Sequence, residues 1–340
     1  MRLLKSTQRA EIADAVRSKF AMAVPVLEAS LHSLPMDRIG RLGGLAAITL
    51  RDLAREFREG SGDAGICFEY AVHEAIATHN RLIHPLVSEV LETFCRIRGE
   101  ADSILFGPEK DGRIPILEST QDALTDDSRV YVGNAGRPPK LKKYIPQIIR
   151  AFRRNEERNR LPRSIGGLWK ADLFAGNPAS EQWVGTTVKI NPTHLQGARG
   201  LRIGIYPRAN ARDAPRRDNA LNLVRLPLPY DGAFMELFYK AFYLVKAFLN
   251  ADAQVPPPVA LPDAEDRFIT QELQARREFP VLQVIEVVRG MSQGNLLENT
   301  PVEEVQPTAT LSESEGLVAT EGRPVESTLI SITPETRSTG

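Results

Sequence analysis

Apolar positions recur at helical spacing through the first hundred residues, then give way after residue 165 to short alternating runs. Residues 6–58 are predicted helical, with Asp37 as the cap of a helix carrying Ile39, Leu42, Leu45, Ala46 and Leu53 on one side. "REGSGDAG" breaks the pattern, and "ICFEYAVHEAIATHNRLI" follows as a second helix. Pro85 marks a joint, and the helical pattern resumes to Gly99. "SILFGPEKDGRIPIL" reads as a hairpin, and a basic helix is expected over about 140–159. The segments "GGLWKADLFAG", "EQWVGTTVKIN", "GLRIGIYP" and "NALNLVRLPL" are four short strands separated by Gly, Pro and Asn. An aromatic helix covers 234–248, its Phe and Leu at core or dimer-face spacing. A proline-rich linker then leads to a single helix over about 264–289.

Helices, then clustered strands, then a helix predict a mixed α/β (α+β) chain with one small central sheet flanked by helices. The expected divisions are an N-terminal helical region (1–64), an α/β core (65–250), a linker with the C-terminal helix (251–290) and a disordered acidic tail (291–340).

Composition adds little to this outline, but the distribution of charge adds more. The formal net charge of the 340 residues is zero. Yet Arg137–Lys170 holds eleven Lys/Arg against Glu156 and Glu157, and Lys189–Arg225 holds eight against Asp213 and Asp218. From Met291 onward there are eight acids and only Arg323 and Arg337. A basic middle is the footprint of a polyanion binder, and the acidic tail could mask it. No apolar run reaches the ~20 residues of a membrane span, and the N-terminus reads as a helix start rather than a signal peptide. Cys67 and Cys95 have no disulfide or zinc spacing, so a cytoplasmic setting is expected, with both as buried apolar residues.

Two charges lie inside the apolar strand runs. Asp172 shares a strand face with Lys170 and Phe174, and Lys189 shares one with Trp183, Gly185 and Thr187. Antiparallel pairing through the "AGNPAS" turn would bring Asp172 and Lys189 together at one edge of the sheet. A carboxylate and an amine so placed suit metal-dependent phosphodiester hydrolysis. Mg²⁺ needs only one or two protein carboxylates, and a lysine can orient or deprotonate the attacking water. Other chemistries fit poorly. His73 and His79 are six residues apart, about 600° of helix, which is not the spacing of H-E-x-x-H. "GSGDAG" lacks the lysine of a phosphate-binding loop.

The run "LWKADLFAG … WVGTTVKIN … GLRIGIYP" resembles the PD-(D/E)xK nuclease superfamily, particularly its defence-associated and restriction-type members, over roughly residues 65–245. The resemblance implies a restriction-endonuclease-like sheet and a Mg²⁺- or Mn²⁺-dependent DNA endonuclease of anti-phage or restriction defence. It places Asp172 as metal ligand, Lys189 as catalytic lysine and Glu69 as the helix glutamate that completes the metal site. DNA is the implied partner, with room for a defence-system partner protein and a homodimer. The chain departs from the family at Thr187, where the pattern has Asp or Glu. Glu69, with Glu74 behind it, and Glu181 are the candidates to supply that acid, although Glu181 lies roughly 20 Å from Thr187 if the strand is extended. The alternative is a catalytically inactive nuclease-fold subunit that binds nucleic acid or protein as a scaffold.

Overall fold

The strand runs assemble into one mixed sheet, seven-stranded among the described residues, of a computed structural model that describes residues 14–58, 60, 63–107, 114–210, 212–229 and 233–292. The helices and strands follow in chain order as α1 (Asp14–His32), α2 (Met36–Arg41), α3 (Leu50–Glu56), α4 (Asp63–Ala77), α5 (His84–Cys95), β1 (Asp102–Leu105), α6 (Ile114–Ala123) and β2 (Arg129–Tyr131). After these come α7 (Ile145–Arg153), β3 (Leu173–Asn177), β4 (Gln182–Val188), β5 (Ile203–Pro207), β6 (Arg216–Asp218), β7 (Leu223–Leu228), α8 (Ala233–Asn250), α9 (Ala264–Gln274) and α10 (Val281–Met291). This is the mixed α/β class expected, with helices before the sheet.

The sheet runs β1-β3-β4-β5-β7-β6. β3 and β4 form the expected antiparallel hairpin, with Leu173 opposite Thr186 and Asn177 opposite Gln182. β4 is parallel to β2 over Gln182–Val184 on its other side and then parallel to β5 over Thr186–Val188. β5 and β7 are also parallel, and β6 closes that edge antiparallel to β7. Alternation along the strands divides the core between the two faces. Leu173, Ala175, Val184, Val188, Ile203 and Ile205 join one apolar cluster, together with residues of α1, α4 and α8. Phe174 and Trp183 point the other way, into a smaller cluster with Phe106, Leu117, Ile145 and Ile148. α1 packs against α4, α8 and α10, and the buried Phe238, Phe242 and Phe248 of α8 are core residues.

Several local expectations are corrected. The segment read as a hairpin is a strand followed by a helix. β1 pairs with β3, while Leu117, Thr120 and Leu124 are buried at the spacing of a helix face in and just after α6. Asp37 lies in the first turn of α2 rather than capping it, and the helix stops before Gly44, whose φ of 96° continues no helix. Leu53 therefore belongs to α3, which starts from a capping box between Thr49 and Asp52. The single C-terminal helix is two, because Pro280 has no amide to donate and disfavours helical geometry in Phe279. Trp169 and Lys170 end a 3₁₀ turn (Arg163–Lys170) instead of opening β3, so Lys170 does not share a strand face with Asp172. The short β2 and β6 escaped the sequence reading. The acidic tail lies, from residue 293, outside the described residues.

Candidate active site

Asp172 is the residue at which the 3₁₀ turn becomes strand. Its amide donates to the Thr186 carbonyl at 2.8 Å, and its carbonyl accepts from the amides of Phe106 at 3.0 Å and Gly107 at 2.8 Å. The backbone is thus clamped between the end of β1 and the body of β4. The side chain is 8% exposed as a residue and just as firmly held. Its Oδ2 accepts from the Val188 amide at 2.8 Å, from Lys189 Nζ at 2.9 Å and from Thr187 Oγ1 at 3.0 Å. All three donors converge on one oxygen, which leaves Oδ1 as the oxygen available to a ligand.

Lys189 directly follows β4, its amide donating to the Ile205 carbonyl at 2.9 Å. It is therefore not a lysine guarding a sheet edge. The site lies inside the sheet, at the carboxyl end of β4 with β3 and β5 on either side. This corrects the expected edge placement, and it matches where ligands bind in open α/β sheets. Nζ also lies 3.4 Å from Glu69 Oε1. Glu69 is 2% exposed, among the core residues Phe68, Val72 and Ile76 of α4. Burial alone would lower the Lys189 pKa, but the charges of Asp172 and Glu69 outweigh it and raise the pKa above the ordinary 10.5. With the two carboxylates beside it, Lys189 is held as a cation, which can orient or stabilise an anion.

The other acidic candidates are placed elsewhere. Glu74 faces α10, where its carboxylate accepts from Arg289 Nε at 3.2 Å. Glu181 sits at the opposite end of β4, with φ of 53°, and accepts from Thr125 Oγ1 at 2.8 Å. Thr187 faces the centre, is buried, and donates to Asp172 instead of offering a carboxylate. Of the acids considered, only Glu69 reaches Lys189.

Among the described residues no group of three or more His, Cys, Asp or Glu is gathered for a metal. The donor set is two carboxylates, Glu69 and Asp172, separated by no more than the two hydrogen bonds to one ammonium. That is within what Mg²⁺ accepts from a protein, since it keeps most of its waters. The residues fit a hard divalent cation, with Lys189 Nζ now holding the positive charge between the carboxylates.

Sequence reasoning missed the amides of Phe106 and Gly107 that back Asp172, because the β1 run was paired with the wrong segment. Arg225, counted in the basic run, has a fixed place in the sheet. The guanidinium lies 4.7 Å over the Tyr206 ring and bonds Asp218 Oδ2 at 3.1 Å. Register sets Thr187 opposite Gly204 and Gly204 opposite Arg225, in one row across the sheet.

Comparison with protein-family models, with characterised proteins and with solved structures finds no match. No helix among the described residues is long and apolar enough to cross a membrane.

Proposed function

We propose that the chain is a metal-dependent DNA endonuclease that hydrolyses phosphodiester bonds at the Glu69–Asp172–Lys189 centre, in defence against foreign DNA as its family resemblance implies. The observation that carries the reading is the convergence of three charged side chains, from α4 and the β3–β4 hairpin, on one strand end. Asp172 Oδ1 and the Glu69 carboxylate would hold Mg²⁺ or Mn²⁺. A bound divalent cation there supplies water activation and charge neutralisation at the scissile phosphate. Thr187 and the Val188 amide fix the carboxylate of Asp172 by engaging its other oxygen. Lys189, held positive, stabilises the negative charge that grows on the phosphoryl oxygens. The exposed Arg150 and Arg153 of α7 and Arg216 and Arg217 of β6 are cations for the DNA backbone, which sequence-independent binding requires.

A second reading, a nuclease fold that binds but does not cut, is favoured by Thr187, which replaces the family's acid with a hydroxyl donor. Both are tested by cleavage of supercoiled and linear DNA with Mg²⁺, Mn²⁺ or EDTA, using the native chain, Asp172→Ala and Lys189→Ala. The enzyme reading expects EDTA-sensitive cutting that falls by roughly 100-fold or more in each variant. Cutting that survives both substitutions overturns the centre. DNA binding without cutting in either metal establishes the scaffold.

A further inference from the structure

A second concave site lies beside the 3₁₀ turn that precedes Asp172. It is a cleft of about 390 Å³ between that turn, the loop after β2, the loop before β5 and the turn between β6 and β7. Three cations line it, Lys170, Arg199 and Arg202, and no carboxylate among its described residues does. Lys170 and Arg199 are exposed and form no ion pair among the described residues. Arg202 is 1% exposed, an unusual location for an arginine. Its Nη2 donates to the Gly167 carbonyl at 2.5 Å and to the Val132 carbonyl at 3.5 Å, which holds the guanidinium in the wall of the cleft.

The walls are built to stay in place. A Cβ on Gly167 would stand 2.2 Å from the Val132 carbonyl oxygen, so only glycine lets the 3₁₀ turn close against the β2 loop. Asn222 Nδ2 ties the opposite wall by donating to the carbonyls of Ala198 at 3.0 Å and Arg199 at 2.9 Å. Gly133, Gly166 and Gly197 also line the cleft, so a ligand meets backbone there without intervening side chains. Like charges gathered in a concave, partly desolvated space repel one another unless an anion joins them. A guanidinium pair with a nearby ammonium suits the oxygens of a phosphate group.

We propose that this cleft is a phosphate-binding subsite, distinct from the Asp172 centre, that takes one phosphate ester of a nucleotide. The phosphate could belong to a nucleic-acid strand or to a free mononucleotide, and the chemistry of capture is the same. Lys170 is two residues ahead of Asp172 in the chain, so the 3₁₀ turn that lines the cleft leads directly into the strand that carries the hydrolytic centre. Phosphate capture needs no bond cleavage, so the proposal is tested in the Asp172→Ala background.

Binding of a fluorescein-labelled thymidine 5′-monophosphate and of a labelled single-stranded oligonucleotide is measured by anisotropy with the full chain, without metal. Inorganic phosphate serves as competitor and the double variant Lys170→Ala/Arg199→Ala as control. Both substituted side chains are exposed, and circular dichroism verifies that the variant is folded. The expected result is binding of at least one probe, competed by inorganic phosphate and weakened roughly tenfold or more in the double variant. Binding of the mononucleotide assigns the cleft to a free nucleotide, and binding of the oligonucleotide alone assigns it to a strand. Binding of neither probe, or equal binding by the folded double variant, overturns the subsite. Loss of DNA cutting in Asp172→Ala leaves this result untouched, so the two proposals fail separately.

Discussion

Replacing Lys189 with methionine keeps the apolar stem and removes the one charge that lies between Asp172 and Glu69. Asp172 Oδ2 retains the Thr187 hydroxyl and the Val188 amide but loses a charge-assisted bond of 2.9 Å. Such a bond is worth about 1.5–3 kcal/mol. The Glu69 contact is longer, at 3.4 Å, and adds less. The Lys189 side chain is 31% exposed, so solvent screens part of its charge. The expected destabilisation is about 2 kcal/mol at neutral pH, below the roughly 3–5 kcal/mol of a fully buried pair that loses one partner. The pH dependence has a definite sign. In the native chain the raised Lys189 pKa means that its contribution is present at neutral pH and is lost only as pH rises above 10.5. In Lys189→Met two buried carboxylates are left without their cation. Mn²⁺ can replace the missing charge without displacing an ammonium, so saturating metal should restore roughly 2–3 kcal/mol to the variant and less to the native chain. Urea unfolding at two pH values, with and without Mn²⁺, measures all of this. Native stability at neutral pH together with indifference to Mn²⁺ would refute the placement of Lys189 as the charge that joins Asp172 and Glu69.

Thr187→Asp puts a third carboxylate beside Asp172, so metal affinity measured by calorimetry should rise by roughly tenfold while metal-free stability falls; unchanged affinity would show that position 187 does not face the metal. Two half-buried groups away from the centre, both close to Arg289, give a separate pH test. Burial, reinforced by Glu74, pushes the Glu28 pKa from 4.5 up to about 7 against the opposing charge of Arg289. Burial and then Arg289 push His73 from 6.5 down to about 4. Between 4.5 and 6.5 the folded chain keeps the Glu28 proton and refuses the His73 proton, so the two contributions oppose and the native profile should be nearly flat. Glu28→Gln should leave His73 acting alone, with stability rising by about 3 kcal/mol from pH 4 to 6.5. His73→Asn should do the reverse, falling by a similar amount from pH 4.5 to 7 in urea titrations. Profiles identical to native in both variants would contradict the burial of these groups.

Local pattern was enough for much of the chain. The turn "AGNPAS" with alternating runs on both sides specified the β3–β4 hairpin and put Asp172 near Lys189, because strand alternation and hairpin closure are short-range rules. The helical stripe of Phe68, Val72 and Ile76 was legible for the same reason, and it buries Glu69 with it. What local pattern could not decide was everything set by contacts distant in sequence. Whether "IPIL" becomes strand or helix depended on β1 finding β3 as its partner, which freed α6 to pack its own apolar side. The choice among Glu69, Glu74 and Glu181 depended on where α4 crosses the sheet, on Arg289 of α10 reaching Glu74, and on which end of β4 each acid occupies. The protonation of Lys189 was likewise undecided until both carboxylates were in place around it. The sequence by itself determined which charged residues interrupt the apolar strands. The tertiary structure decided which of them meet and in what charge state, because electrostatic coupling depends on distance and burial rather than on order along the chain.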